Sequence, residues 1–260
     1  MGKEAFKAYD SHLHMGFISD NEVILPSDIK CFIKKQGVSG GAIMPTACKK
    51  GDDNFEFHID LYNQAILEGF SLILYVTPRI IELIKNQYTS LLDTIHFSGI
   101  KIHPDAVKYT QQDLMMITKI AHLYKFPIFI HTGGKTLCEA MQFEKTIKLN
   151  PDILFVLCHA RPANQAFYLL DTHPNVWIDT AFLPIEELIN RVNSNNKERI
   201  LFGTDFPVNL WYPELPESNT WYTSQITDIV NYLPKDTSAD ILHYNYTSFF
   251  IHGKDKEKHK

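Results

Sequence analysis

The sequence predicts an α/β chain closed into a (β/α)8 TIM barrel, in a single domain. Three observations carry that expectation. Short, nearly continuous apolar runs alternate with amphipathic stretches along the whole chain. Eight such pairs can be marked out, at a spacing of roughly 27 residues that suits strand, loop, helix and loop. The 260 residues match the ~250 that such a barrel needs. An open doubly wound sheet is the competing architecture, but no G-x-G-x-x-G follows the first strand.

The strands are expected at Lys7–Ser11, Val38–Met44, Ser71–Val76, Gly99–His103, Pro127–His131, Ile153–His159, Val176–Asp179 and Ile200–Thr204. They are rich in Ile, Val, Leu, Phe and Tyr on both faces, as parallel strands covered on both sides must be. Helices are expected at Pro26–Gln36, Phe55–Glu68, Thr110–Lys125, Thr136–Leu149, Asn164–Asp171 and Ile185–Asn193. Pro26-Ser-Asp, Thr110-Gln-Gln-Asp and Pro184-Ile-Glu-Glu supply a cap or an early proline, with acids in the first turn. Trp211–Trp221, rich in Pro, Trp and Tyr, reads as a long loop after the eighth strand. The barrel domain is placed over residues 1–252, and residues 253–260 read as a charged, frayed tail.

Composition narrows the function. The chain is 45% hydrophobic and 21% charged with net charge −5. That is an ordinary globular balance with no basic run in its body, which disfavours nucleic acid as a partner. No apolar stretch reaches the ~18 residues of a membrane span. The first residues have no apolar signal core, and Phe6 spoils the myristoylation pattern. Cys31, Cys48, Cys138 and Cys158 are scattered without a C-x-x-C pair, a reduced-compartment pattern that implies the cytoplasm. A small-molecule substrate is the expected partner, and a homo-oligomer is compatible with all of this.

In a barrel of this kind the active site is built at the C-terminal ends of the strands. The polar residues standing there are unusual. The first strand ends in Asp10-Ser-His12-Leu-His14, the fourth in Lys101-Ile-His103-Pro, the fifth in Ile130-His131-Thr-Gly, the sixth in Cys158-His159-Ala-Arg161 and the eighth in Gly203-Thr-Asp205-Phe-Pro. His12 and His14 are two apart, so both imidazoles point the same way and can chelate one ion. As a bare motif H-x-H is weak in a chain with 12 histidines. Its recurrence with His131, His159 and Asp205 at specified strand ends is the stronger signal, against the alternative of satisfied polar residues closing a barrel rim.

With these motifs in hand, the sequence resembles the amidohydrolase superfamily, in its amidohydrolase-related branch of metal-dependent barrel hydrolases with H-x-H after strand one. The resemblance runs over about residues 7–250. It implies that His12, His14, His131 and Asp205 are metal ligands. It places His159 as either a second-metal ligand or a catalytic, substrate-contacting residue. Neutral imidazoles and a carboxylate suit Zn²⁺ best, with Mn²⁺, Fe²⁺ or Co²⁺ as alternatives. Such an ion lowers the pKa of bound water towards neutrality. Asp205 is the candidate general base and His159 the candidate for charge stabilisation or leaving-group protonation. Asp10 faces the same side as the histidines and reads as an acid that orients one of them.

Lys101 is expected to share a face with His103, towards the barrel interior, where a lysine must be paired or modified. Three readings stay open: a carbamate bridging two ions together with His159, a contact to substrate, or a structural ion pair. Leu74-Tyr-Val-Thr-Pro-Arg79 carries no glutamate at the end of strand three, which favours one ion over two. Arg79 and Arg161 are two of only four arginines and both fall just beyond strand ends. With Lys101 and His103 they form the candidate substrate contacts and suggest an anionic substrate. His58 and His122 are expected on outer helix faces. Cys158 is expected to face away from His159, which argues against a nucleophilic pair. The expected activity is metal-dependent hydrolysis of an amide, lactone or ester-like bond. A metal-dependent non-oxidative decarboxylase or hydratase is the alternative.

Overall fold

The computed structural model of the protein describes residues 7–47, 55–86, 92 and 94–252. The amino-terminal segment, Cys48 and the expected tail lie outside them. The strands are β1 (Ala8–Ser19), β2 (Glu22–Ile24), β3 (Val38–Pro45), β4 (Ser71–Tyr75), β5 (Phe97–Ile102), β6 (Ile128–His131), β7 (Phe155–Cys158), β8 (Val176–Asp179) and β9 (Ile200–Leu201). They form one sheet in the order β2-β1-β3-β4-β5-β6-β7-β8-β9. From β1 through β9 every pairing is parallel, and β2 is an antiparallel extension of β1. The sheet then closes on itself. The Ser11 amide donates to Phe202 O, the Asp205 amide to His12 O and the His14 amide to Phe206 O, each at 2.8 Å. The expected eight-stranded barrel is therefore present.

Two strand ends differ from expectation in ways that matter for the site. β1 does not stop at Ser11 but continues to Ser19 and turns back through β2. His12 and His14 thus stand within a strand rather than on a loop. The last strand is shorter than Ile200–Thr204: regular pairing ends at Leu201, because residues 202–206 bend to bond β1.

The interior of the barrel holds Ala42, Met44, Ile73, Phe129, Val156, Cys158 and Leu201. Its floor is closed by Tyr246 and Phe250 from the C-terminal turns. The opposite faces of the same strands, with Ile128, Ile130, Phe155 and Leu157, pack against the surrounding helices. Burial on both faces explains why the strands read as unbroken apolar runs.

The helices are α1 (Pro26–Lys35), α2 (Phe55–Leu67), α3 (Pro78–Asn86), α4 (Gln111–Tyr124), α5 (Glu144–Leu149), α6 (Ala163–Thr172), α7 (Ile185–Arg191), α8 (Ser218–Tyr232) and α9 (Lys235–Ala239). At α4, Thr110 Oγ1 accepts from the Asp113 amide at 3.1 Å while the Asp113 carboxylate accepts from the Thr110 amide at 2.8 Å. This is the capping box that the sequence announces. The helix expected over Thr136–Leu149 is instead two 3₁₀ turns followed by α5. Tertiary partners capture its early amides: Ala140 donates to Arg161 O and Met141 to the Gln165 side chain, both at 3.1 Å. The loop expected over Trp211–Trp221 becomes helical at Ser218. Its Ser, Thr and Asn residues have poor helix propensity, and the element is held by packing of Trp221, Tyr222, Ile226 and Ile229 on the core. No described helix is long and apolar enough to cross a membrane.

His58 is buried, not on an outer face. It shares the stripe of Leu61, Tyr62 and Ala65 on α2. Burial lowers its pKa to about 4. The folded state therefore resists the proton that the unfolded chain takes up below about pH 6.5. Stability present above that value is lost as pH falls towards the folded pKa. Between about pH 7.5 and pH 5 this group alone is expected to cost about 2 kcal/mol. Urea midpoints at the two pH values, compared with His58→Leu, measure it. A slope that persists unchanged in the variant would assign the acid limb to other groups.

Candidate active site

Two segments build the centre of the site at the C-terminal mouth of the barrel. β1 supplies His12 and His14, and the bend after β9 supplies Asp205. Their donor atoms converge. His12 Nε2 lies 3.2 Å from His14 Nε2 and 3.2 Å from Asp205 Oδ1, and His14 Nε2 lies 2.7 Å from the same oxygen. Asp205 has φ +65°, a left-handed conformation that a non-glycine residue adopts at a cost. Gly203 lets the chain pass close to β1: a Cβ there would come within 2.9 Å of His12 Cβ.

The far side of each imidazole is held. His12 Nδ1 donates to Asp179 Oδ2 at 2.8 Å, and His14 Nδ1 donates to Pro45 O at 3.2 Å. In the neutral rings the Nε2 atoms then carry the lone pairs, and they face each other and a carboxylate oxygen. Lys101 Nζ, 3.3 Å from His12 Nε2, gives one of these acceptors a cationic donor, and a divalent ion among them would satisfy all three. Donors about 2.0–2.1 Å from one tetrahedral ion sit roughly 3.3 Å apart, close to the spacing seen here. A divalent ion thus fits these residues. The described residues hold two groups that could ligate one: His12, His14 and Asp205, and His12, His159 and Asp179.

Electrostatics agree with a metal-ready state, in which imidazoles are neutral and carboxylates ionised. Burial, then the Lys101 charge, lowers the His12 pKa. Burial likewise takes His159 well below its ordinary value and His103 to about 3. Burial would raise the Asp205 pKa, but positive charge on His12 and His159 and a hydrogen bond from His14, whenever these rings carry the proton, hold the carboxyl well below the usual range.

The remaining candidates lie around this centre. His131, expected as a ligand, stands at the end of β6 but belongs to neither group: its Nδ1 is 3.0 Å from His159 Nε2 and its ring stacks on His103 at 3.8 Å. His159 has φ +69°, and its amide donates to Asp179 Oδ1 at 2.8 Å. Lys101 is buried inside the barrel with Nζ 3.3 Å from His12 Nε2. His103 Nδ1 accepts from the Ala106 amide at 3.2 Å. Arg161 donates from Nη2 to Phe182 O at 3.0 Å and lies over the Phe182 ring. Arg79 stands exposed in the first turn of α3, and among the described residues no hydrogen bond or ion pair joins it to the site histidines.

Two expectations are corrected. Asp10 touches no imidazole ring. Its carboxylate instead accepts from the His12 amide, from Thr204 and from Tyr222. The acid that orients His12 is Asp179, which no motif of the chain singles out. A weaker signal points to it: it is the one polar residue at the end of Val176-Trp-Ile-Asp179, where the barrel rule looks for function. Cys158 faces the barrel interior, near Lys101 and Asp179, rather than away from the site. The left-handed turn at His159 breaks the strand alternation. A nucleophilic Cys/His pair is still disfavoured, because burial pushes the Cys158 thiol up and away from thiolate.

A closed α/β barrel with buried His/Asp clusters at its C-terminal mouth defines a class of barrel enzymes. The chain belongs to the amidohydrolase family, whose profile, described as Amidohydrolase, matches residues 34–245. The matched span contains His131, His159, Asp179 and Asp205, and the H-x-H pair precedes it. The protein is an enzyme of this superfamily, whose members depend on metal and act on small molecules.

Solved structures share the fold at low identity. A probable 2-pyrone-4,6-dicarboxylic acid hydrolase of Acinetobacter baumannii, with citric acid bound, is 13% identical with a TM-score of 0.64, covering 94% of this chain and 99% of that one. The 4-oxalomesaconate hydratase of Rhodopseudomonas palustris is 15% identical with a TM-score of 0.64, covering 97% and 100%. The apo IDCase of Metarhizium anisopliae is 12% identical with a TM-score of 0.64, covering 94% and 97%. No curated protein matches the chain.

Proposed function

We propose that the protein is a metal-dependent hydrolase cleaving an amide, lactone or ester-like bond in a small, polar, anionic molecule. Residues 1–252 act as one catalytic barrel. The observation that carries the reading is the convergence of His12 Nε2, His14 Nε2 and Asp205 Oδ1 with their outer partners already bonded. These atoms, completed by His131, would hold one divalent ion, with zinc favoured by the nitrogen-rich set. When bound, the ion supplies a water of lowered pKa and polarises the scissile carbonyl.

The chain's own groups do the rest. Asp179 holds the Nδ1 proton of His12 and so keeps Nε2 free as a donor. Asp205, ionised and buried, accepts the proton of the attacking water at its carboxylate. His159, fixed through Ala181 O and Asp179, would relay to the leaving group the proton that Asp205 takes from the water. Arg161 and Lys101 offer positive charge to an anionic substrate, and Arg79 does so from the outer rim.

Elemental analysis of protein purified without chelator tests the centre. About one equivalent of metal per chain, lost in His12→Ala, is expected. No metal, and none taken up on addition, would overturn the reading. About two equivalents would instead favour a Lys101 carbamate bridge with His159.

Decarboxylation or hydration is the second reading. A hydratase is among the proteins that share this fold, and the same acid, base and cationic groups could serve either reaction. Product analysis separates them: release of CO₂ without net addition of water would exclude hydrolysis.

A further inference from the structure

We propose that Tyr222 and Asp10 form a positioning pair that sets the spacing between the two chain segments carrying the metal donors, and so couples helix α8 to metal affinity. The inference rests on the reading that His12, His14 and Asp205 hold a divalent ion. Asp10 is fully buried, and donors from three separate parts of the fold meet on its two oxygens. Oδ1 accepts from the His12 amide at 2.9 Å and the Thr204 amide at 3.2 Å. Oδ2 accepts from Thr204 Oγ1 at 2.6 Å and from Tyr222 Oη at 2.8 Å.

The two segments that Asp10 joins are those of His12 and Asp205. Thr204 Oγ1 in turn accepts from the Phe206 amide at 3.2 Å, so Thr204 and Phe206 are linked across Asp205. The Asp205 amide bonds His12 O at 2.8 Å, which closes the loop. Asp205 has a left-handed backbone between neighbours that are tied down on both sides. Tyr222 completes the set from α8, outside the barrel wall. Its ring is fixed edge-on against Phe32 and Phe206, at centroid distances of 5.4 and 5.8 Å. Removing its hydroxyl leaves a buried carboxylate one donor short, and the carboxylate must shift towards the remaining donors. Those donors are the His12 amide and the amide and hydroxyl of Thr204, so the shift is passed to the ligand atoms.

Tyr222→Phe removes the hydroxyl and keeps the ring packing. The test is zinc affinity of metal-free protein, measured by chelator competition, together with the visible spectrum of the Co²⁺-loaded form. Affinity is expected to fall about 10–100-fold, as for loss of other groups that orient ligands. The Co²⁺ bands are expected to shift. Thr204→Val, which cuts the same network from the other side, is expected to do likewise. Ser238→Ala serves as the control. It removes a buried hydrogen bond from Ser238 Oγ to Ile229 O of α8, 2.9 Å long, without touching the network. It is expected to lower the thermal midpoint while leaving zinc affinity within about a factor of two.

Unchanged affinity and spectrum in both Tyr222→Phe and Thr204→Val would overturn the inference while leaving the metal centre intact. An equal loss in Ser238→Ala would overturn it too, since general loosening would then explain the effect. A wild-type protein that binds no zinc would overturn the centre and the inference together.

Discussion

Asp205→Asn is expected to separate activity from stability. The substitution keeps the shape of a buried side chain but removes the charge and the proton-accepting oxygen. On any ester, lactone or amide that the wild type turns over, the rate with metal in excess should fall by about 10²–10⁴-fold. Metal affinity should fall as well, because an amide oxygen is a weaker ligand for zinc than a carboxylate. The metal-free protein should behave in the opposite sense. In the wild type the Asp205 oxygen sits 2.7 Å from His14 Nε2 and 3.2 Å from His12 Nε2, an array of acceptors. An amide N–H can donate to one of these lone pairs. The thermal midpoint of the metal-free variant should therefore equal or exceed that of the wild type. A drop in midpoint with turnover retained would show Asp205 to be a structural residue and not a catalytic one.

Asp179→Ala should produce the largest loss of stability. Its carboxylate accepts from His12 Nδ1 and the His159 amide at 2.8 Å, and from the Ala181 amide at 3.1 Å. All lie in the interior, where no water replaces the missing oxygens. Each orphaned donor costs about 1–3 kcal/mol, and the whole site about 3–5 kcal/mol. Urea unfolding should show a lower midpoint at unchanged slope. The His12 ring also loses the partner that fixes its tautomer, so zinc affinity should fall by about 10–100-fold. A stability change under about 1 kcal/mol would mean that the three donors find other partners in the folded protein.

Much of this centre is legible in the amino-acid sequence. His12 and His14 announce themselves by strand period, and His131, His159 and Asp205 by their place at the ends of apolar runs. The rule that a barrel puts function at those ends turns scattered histidines into a constellation. The same rule applied to Val176-Trp-Ile-Asp179 points to the acid that orients His12. The strand period would put Asp10 on the ligand face, but the register shift between Asp10 and Leu13 turns it outward to Tyr222, and its partners are not visible in the sequence either. Thr204 and Tyr222 are separated from Asp10 by 194 and 212 positions. No local pattern encodes contacts at that range.

The architecture follows from the order of the residues. Alternating apolar runs and amphipathic stretches, repeated at a nearly constant spacing, specify parallel strands covered on both faces, because only that arrangement buries them. The chemical groups at the mouth of the barrel follow in the same way, since strand period and strand ends are local properties. How those groups are aimed is a matter of long-range contact. Closure of the sheet by bonds from β1 to the bend after β9 brings Asp205 onto His12 and His14. The left-handed turn at His159 sets its ring against His131 and leaves Cys158 inside. Helix α8, rich in residues that favour other conformations, is held because Trp221, Tyr222, Ile226 and Ile229 find a packed surface and Tyr222 a buried carboxylate. Orientation at that level depends on contacts between distant segments, and these arise only once the barrel has closed.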